Sequence, residues 1–231
     1  NTFTNYEIIN RLANGAPEVK EIKILEGWNF KLIANELNKK LDIKIDRLYA
    51  MFKNETLLKT NNIESNSLEG YLFPDTYKVF EGDNVRSVLS LLIKTHNTFW
   101  TKTNINRAKE LKLSIHEIVT LASIIEGEAI YDSERSKISG VYHNRLKLGM
   151  KLQADPTIQY IIKDSPRRLL NKDLRIKSPY NTYMYKGLPP GPINSPGRNS
   201  LLAALYPEKN DFIFFVARGD GYHTFTTNER D

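Results

Sequence analysis

Ser114-Ile115-His116-Glu117-Ile118-Val119-Thr120-Leu121-Ala122-Ser123-Ile124-Ile125-Glu126-Gly127-Glu128-Ala129-Ile130 is the most informative segment of the chain. Ser114 and Glu117 stand three apart as a capping box, which predicts a helix start at this point. With Ile118 set at zero, Leu121, Ile125, Ala129, Ala122, Ile115, Val119 and Ile130 fill an arc from about −60° to +120° at helical pitch. Glu126 falls near +80° within that arc, Glu128 near −80° at its edge, and Glu117 on the polar side. A carboxylate inside an apolar face is costly unless it is paired, hydrogen-bonded or protonated. Desolvation favours the neutral acid, the state a general acid needs near neutrality. A glutamate bonded to neighbouring backbone or to an arginine fits the same periodicity, and both readings stand at this level. Gly127 is expected to leave room for a ligand beside Glu126.

Working outward, Asp132 to Gly149 predicts a second helix, with Ile138, Val141, Leu148 and the Tyr142–Arg145 pair on one side and Gly149 as its stop. Arg145 is one candidate partner for a buried acid. Upstream, Val85, Val88, Leu89, Leu92 and Ile93 give an amphipathic helix over residues 84–100. Val19 to Leu25 alternates like a strand, Glu26-Gly27 turns, and Asn29 caps a helix carrying Leu32, Ile33, Leu37 and Leu41. A helix is expected over residues 4–13, another over 46–52, and a polar loop over 60–67. Downstream, short helices are expected near 157–162 and 199–206. Arg218-Gly219-Asp220-Gly221 between two apolar runs predicts a hairpin of residues 212–217 and 222–226. The fold class is therefore α+β: a small α/β subdomain over residues 1–66, then a helix-rich domain over 67–231 with a small antiparallel sheet.

Composition narrows the chemistry. The 231 residues include no cysteine, which excludes disulfides, thiolate metal sites and thiol nucleophiles. No apolar run reaches the roughly 18 residues of a spanning helix. The formal net charge of +6 invites a nucleic-acid reading. Basic residues are interleaved with acids along the chain, however, and no nucleic-acid module is present, so no nucleic-acid partner is expected. His96, His116, His143 and His223 show no paired zinc spacing, and no phosphate loop or nucleophile elbow occurs, so neither metal nor cofactor is expected. The C-terminal third gathers Tyr142, Tyr160, Tyr180, Tyr183, Tyr185, Tyr206 and Tyr222 with Gln153, Asp155, Asn181, Thr182 and Asn194. Aromatic faces beside amides and carboxylates suit sugar rings, and the Pro- and Gly-rich run 187–197 suits a stiff binding wall. Core tyrosines on a rigid loop would give the same composition.

Five blocks carry a family resemblance. They are Glu69-Gly70-Tyr71-Leu72-Phe73-Pro74-Asp75-Thr76-Tyr77, then Leu121-Ala122-Ser123-Ile124-Ile125-Glu126-Gly127-Glu128, then residues 144–157 from Asn144-Arg145 to Asp155-Pro156-Thr157. The fourth joins Ser178-Pro179-Tyr180-Asn181-Thr182-Tyr183 with residues 187–193, and the fifth is His223-Thr224-Phe225-Thr226-Thr227-Asn228. In this order they resemble the YceG-like family of membrane-anchored endolytic murein transglycosylases. The resemblance implies cleavage within peptidoglycan glycan strands between N-acetylmuramic acid and N-acetylglucosamine, leaving 1,6-anhydro ends. It implies Glu126 as the catalytic acid and base. Glu69, Asp75, Arg145, Gln153, Asp155, Tyr180, Asn181, Tyr183, Asn194 and His223 are the candidates for holding substrate, and Glu128 is expected to be structural. By layout the first 66 residues resemble a LysM-like subdomain. The resemblance further implies a bacterial inner-membrane protein, single-pass, with an anchor upstream of Asn1, and residues 1–15 read as the tail of a preceding segment. Peptidoglycan synthases and division or elongation machinery are the implied protein partners. A lysozyme-like hydrolase, which would need a second carboxylate, and a non-catalytic wall-binding module are the rival readings.

Overall fold

Strand β1 (Val19–Ile24) alternates as expected and buries Ile22 and Ile24. Its partner is β2 (Asp75–Phe80), which buries Tyr77 and Val79. The two run antiparallel, with Ile22 opposite Tyr77 and Ile24 opposite Asp75. This is a computed structural model, and it describes residues 18–228 together with Thr4, Tyr6 and Ile9. The helix expected over 4–13 lies outside the described residues apart from those three.

Between the strands run α1 (Phe30–Leu41), α2 (Ile45–Phe52) and α3 (Glu55–Thr60). Asn29 caps α1 by accepting from the Leu32 amide, and Asn54 caps α3 by accepting from Leu57. The first sheet thus closes across residue 66, where a subdomain boundary was expected. Two further bonds cross the same point: the Leu68 amide donates to the Phe52 carbonyl, and the Phe30 amide to Glu69.

After β2 come α4 (Val85–Phe99) and α5 (Lys102–Glu110), capped by Asn84 and Thr101. The central helix α6 (Ile115–Glu128) starts at the expected capping box, and every residue from Ile118 to Ile125 is buried. It packs against α5, α7 (Asp132–Lys147), α8 (Asp155–Ile161) and α9 (Arg198–Leu205). The hairpin β3 (Phe214–Ala217) and β4 (His223–Thr226) lies against α7. One apolar cluster runs from Ile22, Ile33 and Leu37 through Leu92 to Ile118, Ile125 and Leu201. The architecture is α+β, with two small antiparallel sheets around a helical core.

Candidate active site

Helix α6 presents Val119, Ser123 and Glu126 along one stripe, spaced four and three residues apart. The loop leading into α9 lies on that stripe. Pro192 sits over Val119 beside Gly70, the Ile193 amide donates to Ser123 Oγ at 3.1 Å, and Asn194 Nδ2 donates to the Ser123 carbonyl at 2.9 Å. At the end of the stripe the Gly197 amide donates to Glu126 Oε2 at 2.9 Å. Glu126 Oε1 meets Arg135 at 3.1 Å, and the glutamate side chain is 6% exposed. The carboxylate within the apolar face is therefore both paired and hydrogen-bonded, as in the reading of a glutamate bonded to backbone and to an arginine.

The arginine is Arg135, on the first turns of α7, rather than Arg145. Its Nε reaches Asp132 at 2.7 Å and its other end reaches Ser200 Oγ at 2.5 Å, so one guanidinium ties α6, α7 and α9 together. A planar fork suits this task because it serves several acceptors at fixed angles. Above it, the turn after β1 is locked to the same loop: the Gly27 amide donates to the Ser195 carbonyl and the Ser195 amide to the Trp28 carbonyl. Gly27 takes the left-handed conformation that glycine favours, with φ of 75°. It lies over the Glu126 side chain, and Glu26 beside it covers Gly197 so closely that a methyl group there would fall on the Glu26 carboxyl. Burial first, then the nearby Glu126 carboxylate, push the Glu26 carboxyl up; Asp132 adds to this and Arg135 opposes it. A surface depression of about 370 Å³, lined by Asp132, Arg135, Ser136, Asn199 and Tyr206, opens beside the arginine. The larger depression, about 610 Å³ between the α1–α2 turn and the β2–α4 turn, shares no residue with this cluster.

A second cluster lies on the other side of α6. Glu128 accepts from Tyr142 at 2.8 Å and faces Asp155, and burial pushes its carboxyl up to about 7. Asp155 is exposed and accepts from Tyr183 at 2.5 Å. Arg145 is buried here and donates to the carbonyls of Ile213 and Leu152, with Gln153 at 3.4 Å. Gln153 itself is exposed, in a left-handed conformation with φ of 50°. The fold thus brings Arg145, Gln153, Asp155 and Tyr183 together, apart from the Glu126–Arg135 pair.

The remaining candidates scatter. Glu69 is buried, accepting from the Phe30 amide at 2.9 Å and from Tyr160 at 3.3 Å. Burial pushes its carboxyl up to about 7. Tyr180 packs on Tyr160 with ring centres 5.0 Å apart. Asn181 is wholly buried, and its side chain is committed to its own loop through Leu174, Ile176 and Tyr183. Asn194 commits its Nδ2 to the Ser123 carbonyl, while its buried Oδ1 has no hydrogen-bond partner among the described residues. His223 pairs with Glu134 at 2.9 Å, holding the hairpin to α7. Asp75 is exposed at the start of β2 and accepts from Thr76. The tyrosines form no single wall: Tyr142 is core, and Tyr222 stacks on Tyr131 at 4.2 Å. Gly127 does not hold space for a ligand. A methyl there would stand 2.6 Å from Pro156, so the glycine lets α8 close on α6. Arg135 and Glu26 escaped the sequence reading. The signal for Glu26 was available in its position on a Glu-Gly turn, directly before a left-handed glycine.

Among the described residues no group of three or more His, Asp or Glu is placed to hold a metal ion, and no helix is long and apolar enough to cross a membrane. Comparison with known proteins gives this geometry its setting. An endolytic murein transglycosylase of Bacillus subtilis is 37% identical over 235 residues, covering 95% of this chain and 65% of that protein. One from Streptococcus pneumoniae is 30% identical over 196 residues, covering 79% of this chain and 35% of the relative. The chain thus spans less than two thirds of the length of these relatives. The crystal structure of a yceG-like protein from Listeria monocytogenes superposes with a TM-score of 0.82 at 30% identity, covering 99% of this chain and 79% of that one. The model of the YceG-like family matches residues 1–231, and the chain belongs to that family.

Proposed function

We propose that this chain is the catalytic part of an endolytic peptidoglycan lytic transglycosylase, with Glu126 as its acid and base. The observation that carries the reading is the placement of Glu126. Its carboxylate is 6% exposed, fixed by Arg135 and the Gly197 amide, beneath a turn and beside an open depression. Relatives that match this chain over most of its length bear the name of that activity. In its protonated form Glu126 gives its proton to the glycosidic oxygen, and an oxocarbenium-like centre develops at C1 of the muramoyl residue. The resulting carboxylate then takes the proton of that sugar's own C6 hydroxyl, whose oxygen closes on C1 to give the 1,6-anhydro ring. No water is consumed, and the proton lent in the first step returns in the second. A nucleophile held in the same sugar brings a large effective molarity.

In this reading Gln153, Asp155 and Tyr183 form a second contact region for the glycan, with Arg145 and Glu128 supporting it from below. The unit before residue 67 is a LysM-like subdomain whose sheet is completed by β2. The chain works at the cell envelope, held at the inner membrane by a single span and facing the wall, where peptidoglycan synthases and the division or elongation machinery are its partners. Digestion of purified sacculi tests the activity: the wild type releases muropeptides with anhydro ends, and Glu126→Gln releases them at least about 1,000-fold more slowly. Ordinary reducing ends would identify a hydrolase instead, and near-normal turnover by Glu126→Gln would remove that residue from the chemistry.

A further inference from the structure

Glu26 stands at the mouth of the site with a carboxylate that makes no hydrogen bond or ion pair among the described residues. It faces Glu126 from α6 and Asp132 and Arg135 from α7. The only cation in that group is already engaged by Glu126, Asp132 and Ser200. A carboxylate added to such a cluster suffers net repulsion and gains no compensating bond. The turn that carries it is held to Ser195 by two backbone bonds, from the Gly27 amide to the Ser195 carbonyl and from the Ser195 amide to the Trp28 carbonyl. The carboxyl lies against the Cα of Gly197, the residue whose amide holds Glu126. A solvent-reaching acid on a held turn, seated against the residue whose amide holds Glu126, is placed to meet something that arrives at that carboxyl.

We infer that Glu26 is the second carboxylate of the catalytic centre, touching the sugar whose bond breaks and setting its negative charge against the positive charge that develops at C1. This rests on the transglycosylase reading above. Glu26 forms no covalent bond and moves no net proton. It supplies a fixed charge that matters more in the transition state than in the ground state, where the sugar is neutral. The unit preceding residue 67 therefore contributes to the chemistry as well as to wall binding.

The test is Glu26→Gln in the same chain, assayed on soluble glycan strands for kcat and KM, by product analysis and by thermal melting. The expected result is a fall in kcat on the order of 100-fold with KM changed less than about threefold. Tm stays equal or rises, since a repelled charge has been removed. The few products still carry anhydro ends. In the wild type kcat falls as acid protonates Glu26, and the Gln variant lacks that limb. Wild-type kcat in Glu26→Gln overturns the assignment, and so does a loss of activity that only follows a lowered Tm. If the wild type itself releases no anhydro ends, the transglycosylase reading fails first; anhydro ends from a fully active Glu26→Gln sink the Glu26 role alone.

Discussion

At the scale of single residues, the molecule uses buried carboxylates in opposite ways. Glu126 is ionically paired with Arg135, while Glu69 has no cation beside it and is held by the Phe30 and Gly70 backbone and the Tyr160 phenol. Burial raises Glu69 from an ordinary value near 4.5 to about 7. A folded state with a raised acid binds more protons than the unfolded chain between those two values. Stability from this group is therefore fully present below about pH 4.5, is lost as pH rises through about 7, and stays lower above that, by about 3 kcal/mol as an upper estimate. Glu69→Gln keeps an acceptor for the Phe30 amide and carries no charge. We expect the variant to match the wild type in urea unfolding at pH 4 and to exceed it by about 1–3 kcal/mol at pH 8. Equal differences at both pH values would show that Glu69 stays ionised in the folded protein. Of these residues only Glu126 was legible beforehand, because helical periodicity alone puts it in the apolar arc. Arg135 comes from the next helix and Glu26 from a turn far upstream. No local spacing announces either, and the arginine nearer the predicted helix face, Arg145, turns instead to backbone carbonyls.

At the scale of elements, local chemistry read well wherever it was local. The Ser114–Glu117 box, the Asn29 cap and the glycine-rich hairpin all lie where the sequence put them. Three elements did not read. Helix α5 buries only Asn104 and Ala108, so it carries almost no apolar stripe. Helix α3 is six residues long. Strand β2 sits in a run of aromatics and turn formers, and its pairing with β1 is a long-range event. Gly127 is the instructive error. Read as an opening for ligand, it is where Pro156 of α8 meets α6. The two readings separate cleanly in Gly127→Ala. An opening for ligand predicts lost activity at unchanged stability, since alanine favours a helix. Close packing predicts that the methyl displaces α8, lowering stability by about 1–3 kcal/mol as overpacking does. Denaturant melts of the purified variant decide between them, and we expect the loss.

At the scale of the whole molecule, the division at residue 66 meets a structure that is stitched across it. The β1–β2 ladder, the Glu69 bond to the start of α1, the Leu68 bond to the end of α2 and the Gly27–Ser195 pair all join the early unit to the helical domain. Apolar residues from both sides lie in one cluster. A small α/β unit that gave up β2 would leave β1 as a single strand, with Ile22 and Ile24 stripped of their partners, and no strand is stable in that state. The early unit and the helical domain thus share a sheet and a core across residue 66. Over residues 18–228 we expect one cooperative thermal transition, with calorimetric and van't Hoff enthalpies in agreement. Native-state hydrogen exchange should place the amides of Ile22, Gly27, Tyr77 and Ser195 in one unfolding unit. If residues 19–66 opened at a lower free energy than α6, the early unit would be a separate foldon, and the turn bearing Glu26 would be able to leave the site while the core stayed intact.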